Sequence, residues 1–378
     1  MDNLKLSSNK ENEGEWYTKK GNNDDIVFST KVSISRNLAD FPFPKKFRND
    51  DSVRVQTLIF DAFMKTKDAD FYQILPVASF DHLSSRILME RGLISPETLS
   101  SPGAAIVMRL KGDNADSGIV STINDTDHLK ISTFISGLNA NKAFESCRKI
   151  DSALQENLQF ASSVDFGFLT SNIFECGSGM KLSAKIFMPS TFFVGSLTKT
   201  LQEIQNPYFA VERVFNSKLN KEKQISIFDS YFEFSTKFAG AGSELEQIAS
   251  FTSLVQNLIE TEKKNSLVIK NDFFTLARDM VFKEYAKAKF AILLTYEEAL
   301  RTILYIKMGI NLKIIGGLTS EDFLSLIYRL QDAHIKTILN SQNFDFPSDI
   351  EKKEDLKIAR LRAILLMDSI EKIGVINE

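Results

Sequence analysis

The stretch from Phe166 to Ser183 constrains the chain most, because a glycine-rich turn joins two segments of different character within it. Gly177-Ser178-Gly179 follows a Thr/Ser-rich apolar segment, and Met180-Lys181 leads into the apolar run from Leu182 to Pro189. Glycines let the backbone bend sharply and lie close to a ligand, and a flanking lysine can bind an anion. A Gly-x-Gly turn is more often an ordinary loop than a phosphate site, so both interpretations stay open at this point.

Length and composition predict a two-domain globular protein. The chain has 378 residues, of which 43% are hydrophobic and 25% charged, so it can bury a substantial core. The formal net charge of −3 gives no reason to expect nonspecific nucleic-acid binding.

Targeting and metal signals are weak throughout the sequence. The polar N-terminus has no apolar signal region, and no apolar run is long enough to span a membrane. The 2 Cys and 3 His offer neither a disulfide framework nor a multi-histidine site. We therefore expect a cytoplasmic protein without a resident metal.

The glycine-rich stretch reads FGFLTSNIFECGSGMKLS and resembles a motif of the ATP:guanido phosphotransferases, G-Y-L-T-S-C-P-T-N-V-G-T-G-M-R-A-S. Among these enzymes it is most similar to the bacterial protein-arginine kinases. The identical positions are Gly167, Leu169, Thr170, Ser171, Gly177, Gly179, Met180 and Ser183. On this resemblance, the active-site cysteine of the family falls on Asn172, and an arginine of the family falls on Lys181.

The resemblance begins near Trp16 and continues into an alternating segment that predicts a half-buried strand. Val32 and Ile34 alternate with polar residues at positions 31, 33 and 35, which should share one face of the strand. In the family, two arginines on this face clamp nucleotide phosphates. The resemblance places Lys31 and Ser33 there.

Arg36 is the family arginine that this segment keeps. Taken alone, Arg36 is expected to form a structural salt bridge rather than to contact a ligand.

Residues 119 to 131 read as strand, turn and strand, and they resemble the family segment V-N-E-E-D-H-L-R-I. The first glutamate falls on Asp125. The second, which is the family's general base and guanidinium anchor, falls on Thr126, and the arginine falls on Lys130. His128 is expected to be a hydrogen-bonded structural histidine.

Two replacements for the missing groups are conceivable. Asp125 or Asp127 could replace the base, although acids in such a turn are usually solvated, and Asp125 is the better candidate. Cys176 could replace the cysteine, but it lies four residues late, and a buried structural thiol is favoured.

The family segment R-G-x-Y-G-E fits best at Glu212 to Ser217, and Q-I-S-N-Q fits at Gln224-Ile225-Ser226. On this fit Glu212 replaces a phosphate-binding arginine, and Ser217 replaces an acid. Arg213 is the candidate to substitute partly for the lost arginine.

The chain becomes helical after Ala239-Gly240-Ala241-Gly242. An earlier helix is expected over residues 50 to 75, and another opens at Pro96 with Ser95 as its cap. The first later helix is predicted to begin after Ser243, which forms a capping box with Glu246. The others are predicted from about 272 to 290, from Thr295 to Gly309, from Thr319 or Ser320 onward, and from about Asp349 to Gly374.

The helical half resembles the C-terminal domain of the protein-arginine kinases. In those enzymes the domain supports dimerisation and carries an R-D-x-x-R-A motif that binds phosphoarginine. The motif falls on Glu354, Asp355 and Ile358, so both arginines are absent.

The resemblance implies an α+β protein. We expect a flexible segment (1–22), a guanido-kinase catalytic domain with an antiparallel sheet flanked by helices (23–242) and an all-helical C-terminal domain (243–378). At the five family arginine positions the formal charge falls from +5 to +2. These positions are Lys31, Ser33, Lys130, Lys181 and Glu212.

We therefore expect catalytic impairment, at most weak binding of ATP and Mg²⁺, and a role as a regulatory or binding subunit in protein quality control. The alternative is a slow or altered kinase acting on arginine or another guanidino group. The partners implied are an active arginine kinase, a zinc-binding activator protein, a Clp unfoldase or a second copy of the chain.

Overall fold

The computed structural model describes residues 15–109, 118–215 and 226–376. An antiparallel sheet flanked by helices is followed by a helical region, so the predicted α+β class is confirmed. Among the described residues, no helix combines the length and the apolar character that a membrane crossing requires.

Eight antiparallel strands form the main sheet, in the order β2-β3-β4-β5-β1-β8-β10-β9. Their bounds are β1 Val27–Arg36, β2 Tyr72–Pro76, β3 Ala105–Arg109, β4 Gly118–Ile123, β5 Leu129–Ser136, β8 Met180–Phe187, β9 Phe209–Arg213 and β10 Tyr231–Thr236. Two short pairs lie outside it: β6 Ser162–Ser163 with β7 Gly167–Phe168, and β11 Ile315–Gly316 with β12 Gly374–Val375.

The helices of the first 268 residues lie on both faces of this sheet. They are α1 Asp51–Met64, α2 His82–Glu90, α3 Pro96–Ser100, α4 Ala140–Gln155, α5 Pro189–Phe193, α6 Leu197–Glu203 and α7 Glu244–Val268. Side chains of α2 and α3 pack with Ile106 and Val120, which lie on the same face as Lys130. The first core lies between the sheet and α1, α4 and α7, and it buries Val32 and Ile34 of β1. Positions 31, 33 and 35 therefore lie on the opposite face, as the alternation predicted.

The remaining helices build a second core. They are α8 Phe274–Phe290, α9 Tyr296–Asn311, α10 Ser320–Arg329, α11 Asp332–Ser341 and α12 Glu354–Ser369. This core includes Phe134, Phe187 and Tyr231 of the sheet, which lie on the same face as Lys31. The helical region therefore packs against one end of the face that the first core leaves open.

Trp16 and Tyr17 belong to the second core, although they lie within the predicted N-terminal segment. The Trp16 ring stacks on Phe134 with their centroids 5.6 Å apart. Residues 1–14 of that segment lie outside the described residues.

The helix predicted over residues 50–75 is wrong beyond Met64. Helix α1 ends there, and residues 72 to 76 form β2, the edge strand that pairs with β3. Pairing of Tyr72–Pro76 with a strand about thirty residues away outweighs the local pattern.

Gly309 does not stop α9, which runs to Asn311 before Lys313 adopts a positive φ of 62°. A Cβ atom on Gly309 would lie 2.5 Å from Cγ1 of Val281 on α8. This glycine therefore permits close packing of α9 on α8. The sequence prediction took it for the end of the helix, because glycine is common at helix ends.

The predicted starts of the C-terminal helices at Ser243, Thr295 and Thr319 are confirmed. Capping boxes open α7, α9 and α10 at Ser243, Thr295 and Thr319. The last helix, predicted from about Asp349 to Gly374, is shorter than expected and forms α12 alone, and α11 is a separate helix before it.

Helix α7 follows the predicted domain boundary at residue 242 but packs into the first core. Phe251, Val255 and Leu258 are its deeply buried contacts there. The boundary itself stays a prediction.

Candidate functional site

Four lysines share the open face of the sheet. Lys31 lies at the centre on β1, Lys130 is on β5, and Lys181 and Lys185 are on β8. In the strand register Lys130 faces Ser35 and Lys181 faces Ser33, so two lysines flank β1 from opposite sides. With strands about 4.8 Å apart and about 3.3 Å per residue along them, the Cα atoms of Lys130 and Lys181 lie about 12 Å apart and those of Lys130 and Lys185 about 22 Å apart. The four lysines therefore form a row across the three strands.

The four ammonium groups form no ion pair with any carboxylate of the described residues. Burial, followed by the nearby positive charge of Lys130, lowers the pKa of Lys31 to about 8, and the carboxylate of Glu233 opposes that shift. Burial likewise lowers the pKa of Lys185. Unpaired, crowded cations of this kind are stabilised by an anionic ligand.

Serines fill the space between the lysines. Ser33, Ser132, Ser183 and Ser235 are buried and lie on the same face. Their hydroxyls are hydrogen-bond donors to an anion, but they carry no charge. The face is therefore a polar floor in which four lysines carry positive charge and Glu233, opposite Lys185, carries negative charge.

An aromatic wall closes one end of this floor. The Lys31 ammonium lies 5.0 Å from the centroid of the Phe134 ring. Phe134 is in turn covered by Trp16.

Arg36 lies on the other face and is structural, as predicted. Its Nη2 donates to Asp151 at 2.8 Å, and both side chains are buried. Its Nη1 donates to the carbonyl oxygens of Ser35 and Ser178. Gly179, with φ 68°, permits this arrangement, because a Cβ there would lie 2.6 Å from that guanidinium.

A tight turn at residues 124–128 joins β4 to β5 beside the end of β1. His128 is held there: Nδ1 accepts from the Leu38 N–H, so Nε2 donates to the Pro42 carbonyl. Its ring stacks on Phe47 at 5.2 Å. Burial lowers the pKa of His128 to about 4, so the ring is neutral and structural, as expected.

The turn is bonded to the loop that precedes β8. Asp127 is buried and accepts from the Ser171 N–H at 2.7 Å and from Asn37 at 2.6 Å. The Ser171 hydroxyl donates to the Thr126 carbonyl at 2.7 Å. Asp127 is therefore occupied by structural bonds and does not replace the base.

The three predicted catalytic positions lie at this junction. Thr126 and Asn172 are exposed, and Asp125 is half-buried with no side-chain hydrogen bond to the described residues. Cys176 is half-buried, and its thiol accepts a hydrogen bond from the Thr170 N–H and donates one to the Thr170 carbonyl. These bonds agree with the structural thiol that the sequence favoured.

Arg213 is not brought to the lysines. It faces Phe232 across the ladder, whereas Glu212 faces Glu233, so the two neighbours lie on opposite faces. Arg213 is exposed and pairs with Asp229 at 2.9 Å. Residues 216–225, including Ser217, Gln224 and Ile225, lie outside the described residues.

The positions predicted as a degenerate phosphoarginine site lie at the start of α12. Glu354 is exposed and pairs with Lys336 at 2.6 Å, and Asp355 is exposed. Ile358 is buried in the second core.

A sequence profile described as "ATP:guanido phosphotransferase, C-terminal catalytic domain" matches residues 54–265, more than half of the chain. The chain belongs to the ATP:guanido phosphotransferase family.

Curated relatives of this family member are named protein-arginine kinases. The enzyme of Syntrophomonas wolfei is 25% identical over 336 residues, 88% of this chain and 91% of its own length. That of Pelotomaculum thermopropionicum is 25% identical over 339 residues, covering 89% and 92%.

Solved structures share the fold at lower identity. Lombricine kinase aligns with a TM-score of 0.52 and 14% identity over 66% of this chain and 70% of its own. The substrate-free duplicated taurocyamine kinase of Schistosoma mansoni aligns with a TM-score of 0.53 and 15% identity. That match covers 78% of this chain but only 42% of the duplicated one.

Sequence reasoning missed two charged residues of the site in this guanido phosphotransferase. Lys185 could have been found by continuing the two-residue period of the strand from Lys181. Glu175, whose carboxylate accepts from the Ser35 hydroxyl at 3.5 Å, lies on a loop where no period applies.

The described residues contain no cluster of three or more His, Cys, Asp or Glu side chains able to hold a metal ion. The lysine floor suits the phosphates of a nucleotide. A magnesium ion would enter as a partner of those phosphates.

Proposed function

We propose that this chain is a catalytically impaired ATP:guanido phosphotransferase that binds a magnesium nucleotide weakly and works as a regulatory or binding subunit. One observation supports this most: the cations on the open face, Lys31, Lys130, Lys181 and Lys185, are all lysines, and none forms an ion pair with a carboxylate of the described residues. A lysine supplies a point charge but lacks the planar fork that makes two contacts with one phosphate.

Magnesium ATP would supply the phosphoryl group and its metal. The role of the protein would be to hold the phosphates and to withdraw a proton from the guanidinium. Lys31 and Lys181 would serve the first task. For the second, Thr126 offers a hydroxyl, which is far too weakly basic to replace a carboxylate.

Isothermal titration with Mg-ATP, combined with a mass-spectrometric assay for phosphoarginine, tests the proposal. We expect binding with a dissociation constant of about 1 mM, corresponding to about −4 kcal/mol, and no multiple-turnover phosphorylation. Robust turnover that is abolished by Asp125→Ala would overturn the impairment. The absence of any binding at millimolar Mg-ATP would overturn the nucleotide site.

A slow kinase is the second candidate, and the position of Asp125 favours it. Its half-buried carboxylate is next to Thr126 and makes no side-chain hydrogen bond with the described residues. In that case the wild type phosphorylates its substrate at a low but measurable rate, and Asp125→Ala abolishes this activity. Thr126→Glu should then raise the rate, since a positioned base typically contributes about 10²–10⁴-fold.

The regulatory role includes the partners expected from the sequence: an active arginine kinase, a zinc-binding activator or a Clp unfoldase. The similarity to protein-arginine kinases over about nine-tenths of the chain supports this part. Stoichiometric addition of the purified chain should change the rate at which an active protein-arginine kinase modifies a fixed substrate protein. An unchanged rate, with no complex in size-exclusion chromatography, would contradict the proposal that the active kinase is a partner.

A further inference from the structure

A cavity of about 860 Å³ lies beside β9, the edge strand that pairs with β10. Phe209, Phe232 and Phe234 form its floor, and all three are buried on the face of the sheet that carries the first core. Helices α5 and α6 form its wall, and Met280 of α8 borders it from the helical region. Because the four lysines lie on the opposite face of the sheet, this cavity is separate from the proposed nucleotide site.

The wall of this cavity is apolar and partly exposed. Phe192, Phe193, Leu201 and Ile204 line it, and each of them is only half-buried. A ligand that covers their apolar surface displaces water, which is favourable. Small-molecule sites in proteins are typically cavities of about 300–1,000 Å³ with mostly apolar walls and a few polar groups. The cavity therefore has the size and the lining of a small-molecule site.

Arg213 supplies a fixed guanidinium at one end of the cavity. It is the last residue of β9, and its side chain lies on the same face of the sheet as the cavity. Its Nη2 lies 2.9 Å from Oδ1 of Asp229, and Oδ2 of Asp229 accepts from the Ser226 N–H at 2.9 Å. Asp229 thus holds the guanidinium by one nitrogen, and Nε and Nη1 have no acceptor among the described residues. These two donors suit the paired hydrogen bonds that a guanidinium forms with a carboxylate.

The charged side chains around the cavity favour an anion. Lys237 lines the cavity and forms no ion pair with any carboxylate in the described parts of the chain. The strand register places its Cα atom about 17 Å from that of Arg213, at the other end of β9. Glu212 also lines the cavity, but it faces Glu233, so its side chain lies on the other face of the sheet. One carboxylate, that of Asp229, therefore opposes two cations.

We propose that this cavity binds an amphipathic carboxylate, with its carboxylate on Arg213 and its aliphatic body along β9. The aliphatic body would cover the half-buried apolar wall, and the carboxylate would accept hydrogen bonds from Nε and Nη1 of Arg213. Since Met280 belongs to α8, such a ligand would contact the helical region as well as the sheet. This site is independent of the proposed nucleotide site.

Calorimetric titration of the full chain with two probes, sodium decanoate and decan-1-ol, tests this site. The two molecules share the aliphatic body, and only decanoate carries a charge. The titrations compare wild type, Arg213→Gln, Val211→Glu and the matched control Lys199→Gln, which removes an exposed cation of α6 outside the cavity. Val211 lines the cavity and is 36% exposed, so the added carboxylate can be accommodated while it repels decanoate.

We expect wild type and the control to bind decanoate more tightly than decan-1-ol by about tenfold or more, because one charged hydrogen-bond pair is added. Arg213→Gln should lose this preference. Val211→Glu should weaken decanoate binding by about tenfold or more, since a second carboxylate then lies beside the ligand.

Thermal unfolding of each variant shows that the protein is folded. A wild type that does not bind decanoate, or an Arg213→Gln variant that keeps the preference, overturns the proposed site. A Val211→Glu variant that binds decanoate as tightly as wild type also overturns it, because the ligand then lies elsewhere. If Mg-ATP fails to bind in a separate titration but decanoate binding depends on Arg213, the nucleotide proposal fails and the carboxylate site stands.

Discussion

Strand β1 carries a cation on each of its faces, and the two serve different purposes. Arg36 is buried on the core face, where Asp151 of α4 neutralises it. Lys31 is half-buried on the open face, where its nearest charged neighbours include three further lysines. The difference shows that the role of a cation depends on what the neighbouring elements bring to its face.

The largest effect is expected on the core face. Arg36→Ala should lower the free energy of unfolding by about 3–5 kcal/mol, because it leaves the Asp151 carboxylate buried without a cation. Urea unfolding measures this loss. Removing both partners should cost less than the sum of the single changes, and strict additivity would contradict the pairing.

A smaller effect is expected on the open face. Lys31→Met should weaken Mg-ATP binding by about tenfold or more, since one charged hydrogen bond is lost. The free energy of unfolding should change by less than about 1 kcal/mol, because no carboxylate loses its partner. Lys199→Met, on exposed α6, is the control and should leave affinity unchanged.

The comparison breaks down if Lys31→Met destabilises the protein as much as Arg36→Ala. It also breaks down if Arg36→Ala, once shown to be folded, loses Mg-ATP affinity while Lys31→Met does not.

The smallest effect is a pH dependence confined to the open face. The pKa of Lys31 is lowered to about 8, so its ammonium is mostly charged at pH 7 and mostly neutral at pH 9. Mg-ATP affinity should therefore fall severalfold as the pH rises between these values. Lys31→Met should show a shallower decline in titrations at pH 7, 8 and 9, and an identical slope would assign the titration to another group.

Much of the fold follows from short-range patterns. The alternation around Val32 assigns each residue of β1 to a face, and the capping boxes at Ser243 and Thr295 mark helix starts. The family resemblance rests on the same kind of local signal, and the matching profile confirms it. Local patterns gave the wrong secondary structure where contact with a distant element decides it, as in β2, which pairs with β3, and at Gly309, which packs against Val281.

The candidate site was predicted in part. Lys31, Lys130 and Lys181 do lie together, and Ser33 lies between them. Arg213 does not join them, because one residue of register places it on the opposite face.

The sequence by itself determined which side chains alternate along each strand, since that period of two is a property of the local backbone. It also predicts, through the family resemblance, that the family's forked cations and basic carboxylate are replaced. Only the tertiary structure decided that Arg36 meets Asp151, 115 residues away, and that Glu175 reaches the Ser35 hydroxyl across 140 residues. Such pairings depend on how strands and loops close on one another, and no local period encodes that packing.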